Sequence, residues 1–553
     1  MSFFKNLFFA FTKKERALFL SCSAVAVVSF VVVMSIVIAQ ATKAIPTQGG
    51  EYVEGAVGQP EYVNPVTAQS QTDIDLVKLL YANIPDIADN IATSADGLTW
   101  TVHLKSGLTW QDGQKLTSDD VIFTVQSIQN PDANSPLYTN WQGVSVNRVS
   151  ELELTFTLAN PYTFFRDDLN DLYVIPKHIF ADVPPGNWRL SNYNLKPVGS
   201  GPYQFVSYDE QSDGFISGYH LTAWNGYAGQ QALIKNFDFQ FFANENGLMK
   251  SFNSGAIDGF GGISSGNLTD IKRPYDLFAW RTSSYYAVFW NQSKNLALQD
   301  PAVRKALSVA VDRDALVATA LVGYGVPDYG PIPPDAAYAT LTATPPVGSS
   351  SLDLASSILT QAGWISSASS SNARSKTIQK TSVPLVMNLT VPDIDFLVAT
   401  ADALQAAWRS IGVQTNIATD TPANIVANAV KNRTYESLLF GNVLGPSSDL
   451  YSFWDSSQRF SPGLNLAIYQ NKKVDSLVEA ARQDLNTASR TAQFVAAQAD
   501  IIADNPAVFL YSPDYLYVTN KSVQGISPDL LPDPSDRFRE VTSWYLNTTE
   551  VLK

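Results

Sequence analysis

Apolar and polar residues alternate along three short runs of the chain, at 98–104 (LTWTVHL), 151–159 (ELELTFTLA) and 236–242 (NFDFQFF). A period of two sends successive side chains to opposite faces of an extended segment, so these runs predict half-buried strands. Helical spacing of apolar positions appears instead at 117–129, 300–322, 353–362, 395–411, 474–482 and 489–504. The first of these opens Thr-x-x-Asp and the second Asp-Pro, both helix-start signals. The two element types interleave with no fixed-period repeat, which predicts a mixed α/β architecture and argues against a solenoid or propeller. The serine-rich stretch 365–381 interrupts the pattern and reads as a solvated loop or insertion.

One apolar run fits neither period. Residues 17–39 contain no charge over 23 positions, and as a helix at about 1.5 Å per residue they would span about 35 Å, enough to cross a bilayer core. Lys5, Lys13, Lys14 and Arg16 precede it and a polar stretch with one lysine follows, so the positive-inside rule places the N-terminus in the cytoplasm and the remainder outside. A cleaved signal peptide would have a shorter apolar core of about 7–15 residues, with cleavage near Ala39-Gln40-Ala41. A lipoprotein would use Cys22, but only five residues separate it from Arg16 and the apolar run continues past it. An uncleaved single-pass anchor at 17–40 behind a cytoplasmic tail at 1–16, with an extracytoplasmic ectodomain, is the expectation.

Composition narrows the class further. The chain has 553 residues, 45% hydrophobic, 12% aromatic and only 16% charged, the opposite of the balance that keeps chains disordered. Its net charge is −14. Five of the 37 basic residues and one of the 51 acids lie in residues 1–46, which leaves the rest at 32 against 50, a net of −18. Nucleic acid, which needs clustered Lys and Arg, is not an expected partner. With one cysteine, Cys22, no intramolecular disulfide or thiolate cluster can form, and His103, His178 and His220 lack metal-binding spacing. No metal and no cofactor are expected.

Catalytic patterns are equally thin. Gly262-Ile263-Ser264-Ser265-Gly266 matches a nucleophile elbow, but the elbow needs a preceding apolar strand and a histidine later in the chain. All three histidines precede Ser264. Asp119-Asp120 and Asp167-Asp168 are adjacent acids, which on a helix point about 100° apart and cannot face each other across a bond. Asp119-Asp120 stands at a predicted helix start, where carboxylates suit the dipole. What remains is aromatic-rich sequence such as 284–291 (SYYAVFWN) and 449–455 (DLYSFWD), core material or the lining of a binding cleft.

Several segments, taken in order, resemble the extracytoplasmic solute-binding proteins of the peptide/nickel family, receptors of oligopeptide and dipeptide ABC importers. They are Gly49-Gly50-Glu51-Tyr52-Val53-Glu54-Gly55, the run Trp100-Thr101-Val102-His103-Leu104-Lys105-Ser106-Gly107 through Trp110-Gln111-Asp112-Gly113 to Asp119-Asp120-Val121, the turn Gly199-Ser200-Gly201-Pro202-Tyr203, and Gly255-Ala256-Ile257-Asp258. Asp300-Pro301-Ala302-Val303-Arg304, Val311-Asp312-Arg313, Gly330-Pro331-Ile332-Pro333-Pro334, Ala362-Gly363-Trp364 and Pro506-Ala507-Val508-Phe509-Leu510-Tyr511 follow. The resemblance implies a two-lobed periplasmic-binding-protein-like α/β fold with an extra module on its first lobe. Lobe I would comprise 47–82, 198–283 and 511–553, with the module at 83–197 and lobe II at 284–510. Asp112-Gly113 reads as a tight turn, and Arg304 and Asp312 as ion partners within lobe II.

In that family two extended segments sandwich a peptide, largely through backbone hydrogen bonds. By position the first is Val66, Thr67, Ala68, Gln69 and Ser70, and the second Phe440, Gly441, Asn442, Val443 and Leu444. Tyr285, Asn291, Asp449 and Trp454 are further candidate contacts. The family's aspartate for the peptide amine falls near Gly445-Pro446, where no acid stands. The resemblance thus implies a non-enzymatic, membrane-anchored receptor with a monomeric ectodomain that binds small peptides, closes on a hinge and delivers them to an ABC permease and its ATPase subunits. A saccharide receptor of the same fold, or an anchored carboxylate-dependent hydrolase, are the alternatives.

Overall fold

Thirteen of the fourteen residues of the long strand Ala507–Asn520 are in register with a neighbouring strand, and this strand explains the architecture. Its first half pairs antiparallel with Ser284–Trp290 and its second half with Gly259–Gly261 and Tyr275–Arg281. One fourteen-residue strand therefore belongs to two halves of a twelve-stranded sheet. In the computed structural model, which describes residues 12–339, 352–366, 373–527 and 530–552, the two halves form two lobes.

In lobe I, Glu51–Val57 runs parallel to Asn236–Phe242, followed outward by Ile216–Ala223 and Tyr203–Glu210. Phe237, Phe239 and Phe241 are buried on one face of Asn236–Phe242, as the alternation predicts. In lobe II, Ser284–Trp290 pairs with Ser437–Val443, which leads to Val386–Pro392 and Gln414–Asp420. The helices Pro301–Val309, Arg313–Ala320 and Asp395–Ser410 bury their apolar faces against this half. A separate four-stranded antiparallel sheet, Ala88–Thr93, Thr99–Leu104, Glu153–Thr157 and Ser145–Ser150, makes a third layer between residues 83 and 197. Its helix Ser118–Ile128 begins with Thr117 and Asp120 in a reciprocal capping box.

The motifs of the sequence turn out to be joints. Gly255 ends the helix Glu245–Ser254 at φ +84°, where glycine avoids the Cβ penalty. Asp258 accepts the Val53 amide at 3.0 Å and the Asn520 side-chain amide, pinning the first strand to the long one. Ser200 and Gly201 donate their amides to the Leu80 carbonyl at 3.0 and 2.9 Å, where the helix Gln71–Leu80 ends.

Four expectations are corrected. The run 300–322 is two helices, because the Asp312 carboxylate accepts the Ala315 amide at 3.0 Å and starts a second one. Arg304 has no ion pair with Asp312; it donates to the carbonyls of Leu298, Gln299, Asp504 and Asn505. Only 153–157 of the run 151–159 is strand, since residues 151 and 152 turn the hairpin. Within 365–381, Arg374–Ile378 is a strand paired with Thr381–Pro384, and Arg374 is buried; residues 367–372, like 1–11, lie outside those described.

Residues Lys13–Ala41 form one continuous helix. Its apolar side chains Leu18, Val25 and Phe30 are exposed. The next residues, Thr42–Thr47, pair antiparallel with Asn547–Leu552.

Candidate ligand-binding cleft

The chain passes between the lobes at 281–284 and at 511–514. At these crossings Thr282 Oγ1 donates to the Pro513 carbonyl at 3.0 Å, and Arg281 pairs with Asp514 and, at 3.0 Å, with Asp335. The Leu444 amide donates to the Ser283 carbonyl at 2.9 Å, so the second candidate segment ends at this crossing.

The third layer and lobe II meet across a cleft. Arg482, on the helix Lys472–Gln483, stacks between two rings, 4.8 Å from the Tyr162 centroid and 4.4 Å from that of Tyr451. Its Nε lies 2.9 Å from Asp449 Oδ2. Tyr162 belongs to the third layer and Tyr451 and Asp449 to lobe II, so one guanidinium ties both sides together. Alongside, the Thr163 amide donates to the Arg482 carbonyl at 2.8 Å, and Phe164 is inserted into the lobe II core against Phe494 and Tyr338. This clasp borders a cavity of about 610 Å³ whose wall includes Asn140, Tyr162, Phe165, Asp168, Glu479 and Arg482.

None of the residues expected from the sequence lines this cavity; Asp449 reaches its wall only through Arg482. Phe440, Gly441, Asn442 and Val443 lie on the strand Ser437–Val443, with Phe440 partly buried, Asn442 buried and Val443 exposed; Leu444 just beyond is buried. The Asn442 side-chain amide donates to the Tyr285 hydroxyl at 2.8 Å, its cross-strand neighbour. Burial pushes the Tyr285 phenol well above its ordinary range. Asn291 stands beyond the far end of the strand Ser284–Trp290, and its side chain is engaged by the Arg433 carbonyl at 3.0 Å and by Ser293. Trp454 is fully buried among Phe289, Tyr469 and Phe509, in the core of lobe II.

Val66, Thr67 and Ala68 are buried and form a turn, with the Thr67 and Ala68 amides both on the Asn64 carbonyl, rather than an extended segment. Gln69 is exposed, and Ser70 caps the helix Gln71–Leu80 by accepting the Asp73 amide. The Asx-type hydrogen bond from the Val66 amide to Asn64 Oδ1 explains the turn. Asp449 is committed on both oxygens, to the Tyr451 amide at 3.0 Å and to Arg482. Burial pushes its carboxyl up and Arg482 pulls it back, with a net rise.

Tyr162, Asp168 and Arg482 were not singled out as binding residues by sequence reasoning. Arg482 falls inside a predicted amphipathic helix and Asp168 in an acid pair with no second signal, so nothing local marks them. The histidines sit on surface carboxylates, His178 at 2.8 Å from Asp112 and His220 at 3.0 Å from Asp209. Among the described residues no cluster of three or more His, Cys, Asp or Glu could hold a metal. Ser264 precedes a short 3-10 turn, and only the three-residue strand Gly259–Gly261 comes before it.

Two lobes joined by a shared strand, with a cleft between them, are the architecture of a ligand-binding receptor. The family profile "Bacterial extracellular solute-binding proteins, family 5 Middle" matches residues 83–461. The chain belongs to this family of extracytoplasmic substrate-binding proteins of ABC transporters, and its relatives are solute-binding proteins, not enzymes. The oligopeptide-binding protein AppA of Bacillus subtilis is 24% identical over 520 residues, 91% of this chain and 92% of its own length. Protein XP55 of Streptomyces lividans is 28% identical over 470 residues, covering 83% and 80%. The crystal structure of the ABC transporter substrate-binding protein CtaP from Listeria monocytogenes superposes with a TM-score of 0.77 at 24% identity, over 90% of this chain and all of that one.

Proposed function

We propose that the chain is the substrate-binding subunit of an ABC importer, held at the cell membrane by its N-terminal helix, and that it captures peptides in the interlobe cleft for delivery to a permease. The observation that carries this reading is the clasped cleft between the third layer and lobe II, with the strand Ser437–Val443 ending at the crossing at Ser283. The solved structure of AppA from Bacillus subtilis holds a nonapeptide and superposes on this chain with a TM-score of 0.73 at 23% identity, over 91% of this chain and all of that one. A helix of 29 residues, long and apolar enough to cross a bilayer, supports the anchor.

In this reading lobe I comprises 47–82, 198–283 and 511–553, the third layer at 83–197 is a module on it, and lobe II is 284–510. The lobes rotate about the crossings at 281–284 and 511–514. Opening separates Tyr162 and Phe164 from lobe II, a ligand enters, and closure restores the stack on Arg482. Affinity comes from main-chain hydrogen bonds along Phe440–Val443, where the neighbouring strand Val386–Pro392 no longer pairs, a mode that tolerates varied side chains. No bond is broken.

Native mass spectrometry of the full-length chain in mild detergent tests this. Adducts that leave on denaturation and fragment as peptides are expected, or a mass shift with a mixed peptide pool. A mass that ignores peptides and shifts with oligosaccharides would replace the ligand class, and cleaved substrates would end the receptor reading.

A further inference from the structure

Asp168 stands on the short helix Phe165–Asn170 and lines the cavity beside the clasp. Its Oδ1 accepts the Asn140 side-chain amide at 3.2 Å. Its Oδ2 is shielded from water and has no hydrogen-bond donor among the described residues. A buried polar atom without a partner is destabilising, and more so when charged. The neighbouring cation does not meet the need, because Arg482 is turned to Asp449 at 2.9 Å.

The wall around Asp168 is suited to a positive guest. Asp449 already neutralises Arg482, which leaves Asp168 and Glu479 as the uncompensated charges on the cavity, both negative. Tyr162 and Phe165 supply aromatic surface on the same wall, which favours a cation over an anion. We infer that the Asp168 carboxylate, oriented by Asn140, is a subsite of this cavity for a protonated nitrogen of the ligand, an ammonium or a guanidinium. The inference rests on the peptide reading above and specifies it: peptides with a positive charge within reach of this wall are preferred.

A titration accompanies such binding. In the unliganded protein burial pushes the Asp168 carboxyl up to about 7; Asn140 pulls it down, Asp171 and Asp167 push it further up, and Arg482 pulls it down. Tyr162, Tyr451 and Glu479 are the other ionisable groups on this wall. A cation against the carboxylate stabilises its charged form, so binding near pH 6 releases a proton and affinity rises with pH through about 7.

The test is calorimetry on the full-length chain in mild detergent with one peptide sequence in three forms: free amino terminus without basic residues, N-acetylated without basic residues, and N-acetylated with one lysine. At least one charged form is expected to bind about tenfold tighter than the uncharged one, and which form does so identifies the nitrogen. Asp168→Asn is expected to erase that preference while still binding the uncharged peptide. Wild-type protein in two buffers of different ionisation enthalpy at pH 6 is expected to show proton release with the preferred peptide only, a readout that does not depend on the variant folding. Equal binding of all three forms, or a preference that survives Asp168→Asn, overturns the subsite and leaves the peptide receptor standing. If no peptide binds the wild type at any concentration, the peptide reading falls and this inference with it.

Discussion

Asp328 is the residue where charge and burial conflict most sharply within lobe II. Its carboxylate is fully enclosed behind the crossing strand, with Oδ1 accepting the Gly330 amide at 3.2 Å. The Arg313 guanidinium, though near, donates to the carbonyls of Asp328 and Phe509 at 3.0 and 2.7 Å. Burial therefore pushes the Asp328 carboxyl up to about 7, against smaller pulls from the Gly330 and Tyr329 amides and from Arg313. The folded state then keeps a proton that the unfolded chain, with an ordinary carboxyl near 4, has released. Where the folded state binds more protons, stability falls as pH rises, here between about 4 and 7. Thermal unfolding of the unliganded chain is expected to show a higher Tm at pH 5 than at pH 8, with Asp328 contributing on the order of 2 kcal/mol. Asp328→Asn should flatten that slope, and an unchanged slope would place the carboxylate's proton elsewhere. Arg304 follows the same habit as Arg313, giving its guanidinium to four main-chain carbonyls of two separate segments.

At the scale of elements, the turn Gly199-Ser200-Gly201 shows why a short motif can hold two layers in register. A Cβ on Gly199 would sit 1.8 Å from the Leu80 carbonyl oxygen, and one on Gly201 would sit 2.6 Å from the Leu80 carbonyl carbon. Both neighbours are backbone at the end of a buried helix and cannot swing aside. Gly199→Ala is expected to destabilise the chain by about 2–4 kcal/mol, read from the urea midpoint; a cost below about 0.5 kcal/mol would mean that the helix end moves freely. This turn was legible in the sequence as a motif, as were the alternating strands and the capped helix at Ser118–Ile128, because those signals are local. The break at Asp312 was harder to see, since apolar periodicity continues through a three-residue interruption. The partner of Arg304 was invisible because a sequence displays carboxylates and hides which carbonyls a fold will aim at a guanidinium. The strand Arg374–Ile378 was masked by the serines before it. The cleft was least legible: Tyr162 and Arg482 lie 320 positions apart, and only the packing of the third layer on lobe II brings them together.

At the scale of the molecule, the third layer is a bridge. It is built on lobe I, and the Leu80–Gly201 joint and a continuous apolar core connect them, yet Phe164 is 5% exposed inside the core of lobe II. Removing that ring should weaken the closed arrangement more than either lobe. Phe164→Ala is expected to speed hydrogen exchange of the Thr163 amide about tenfold or more and to lower ligand affinity, with exchange in the central strands unchanged. Unaltered exchange across 160–168 would show that the clasp on Arg482 suffices alone. The strand Thr42–Thr47 bears on the whole molecule in another way. It follows the apolar helix with no intervening residue and is zipped to Asn547–Leu552. Under the anchoring proposed above, with that helix kept in the bilayer, the protein would be moored on a leash of essentially zero length, unlike a receptor that drifts through a compartment. Its search for a transporter would then be a two-dimensional walk, with the frequency of encounter set by crowding in the membrane plane rather than by the volume outside the cell.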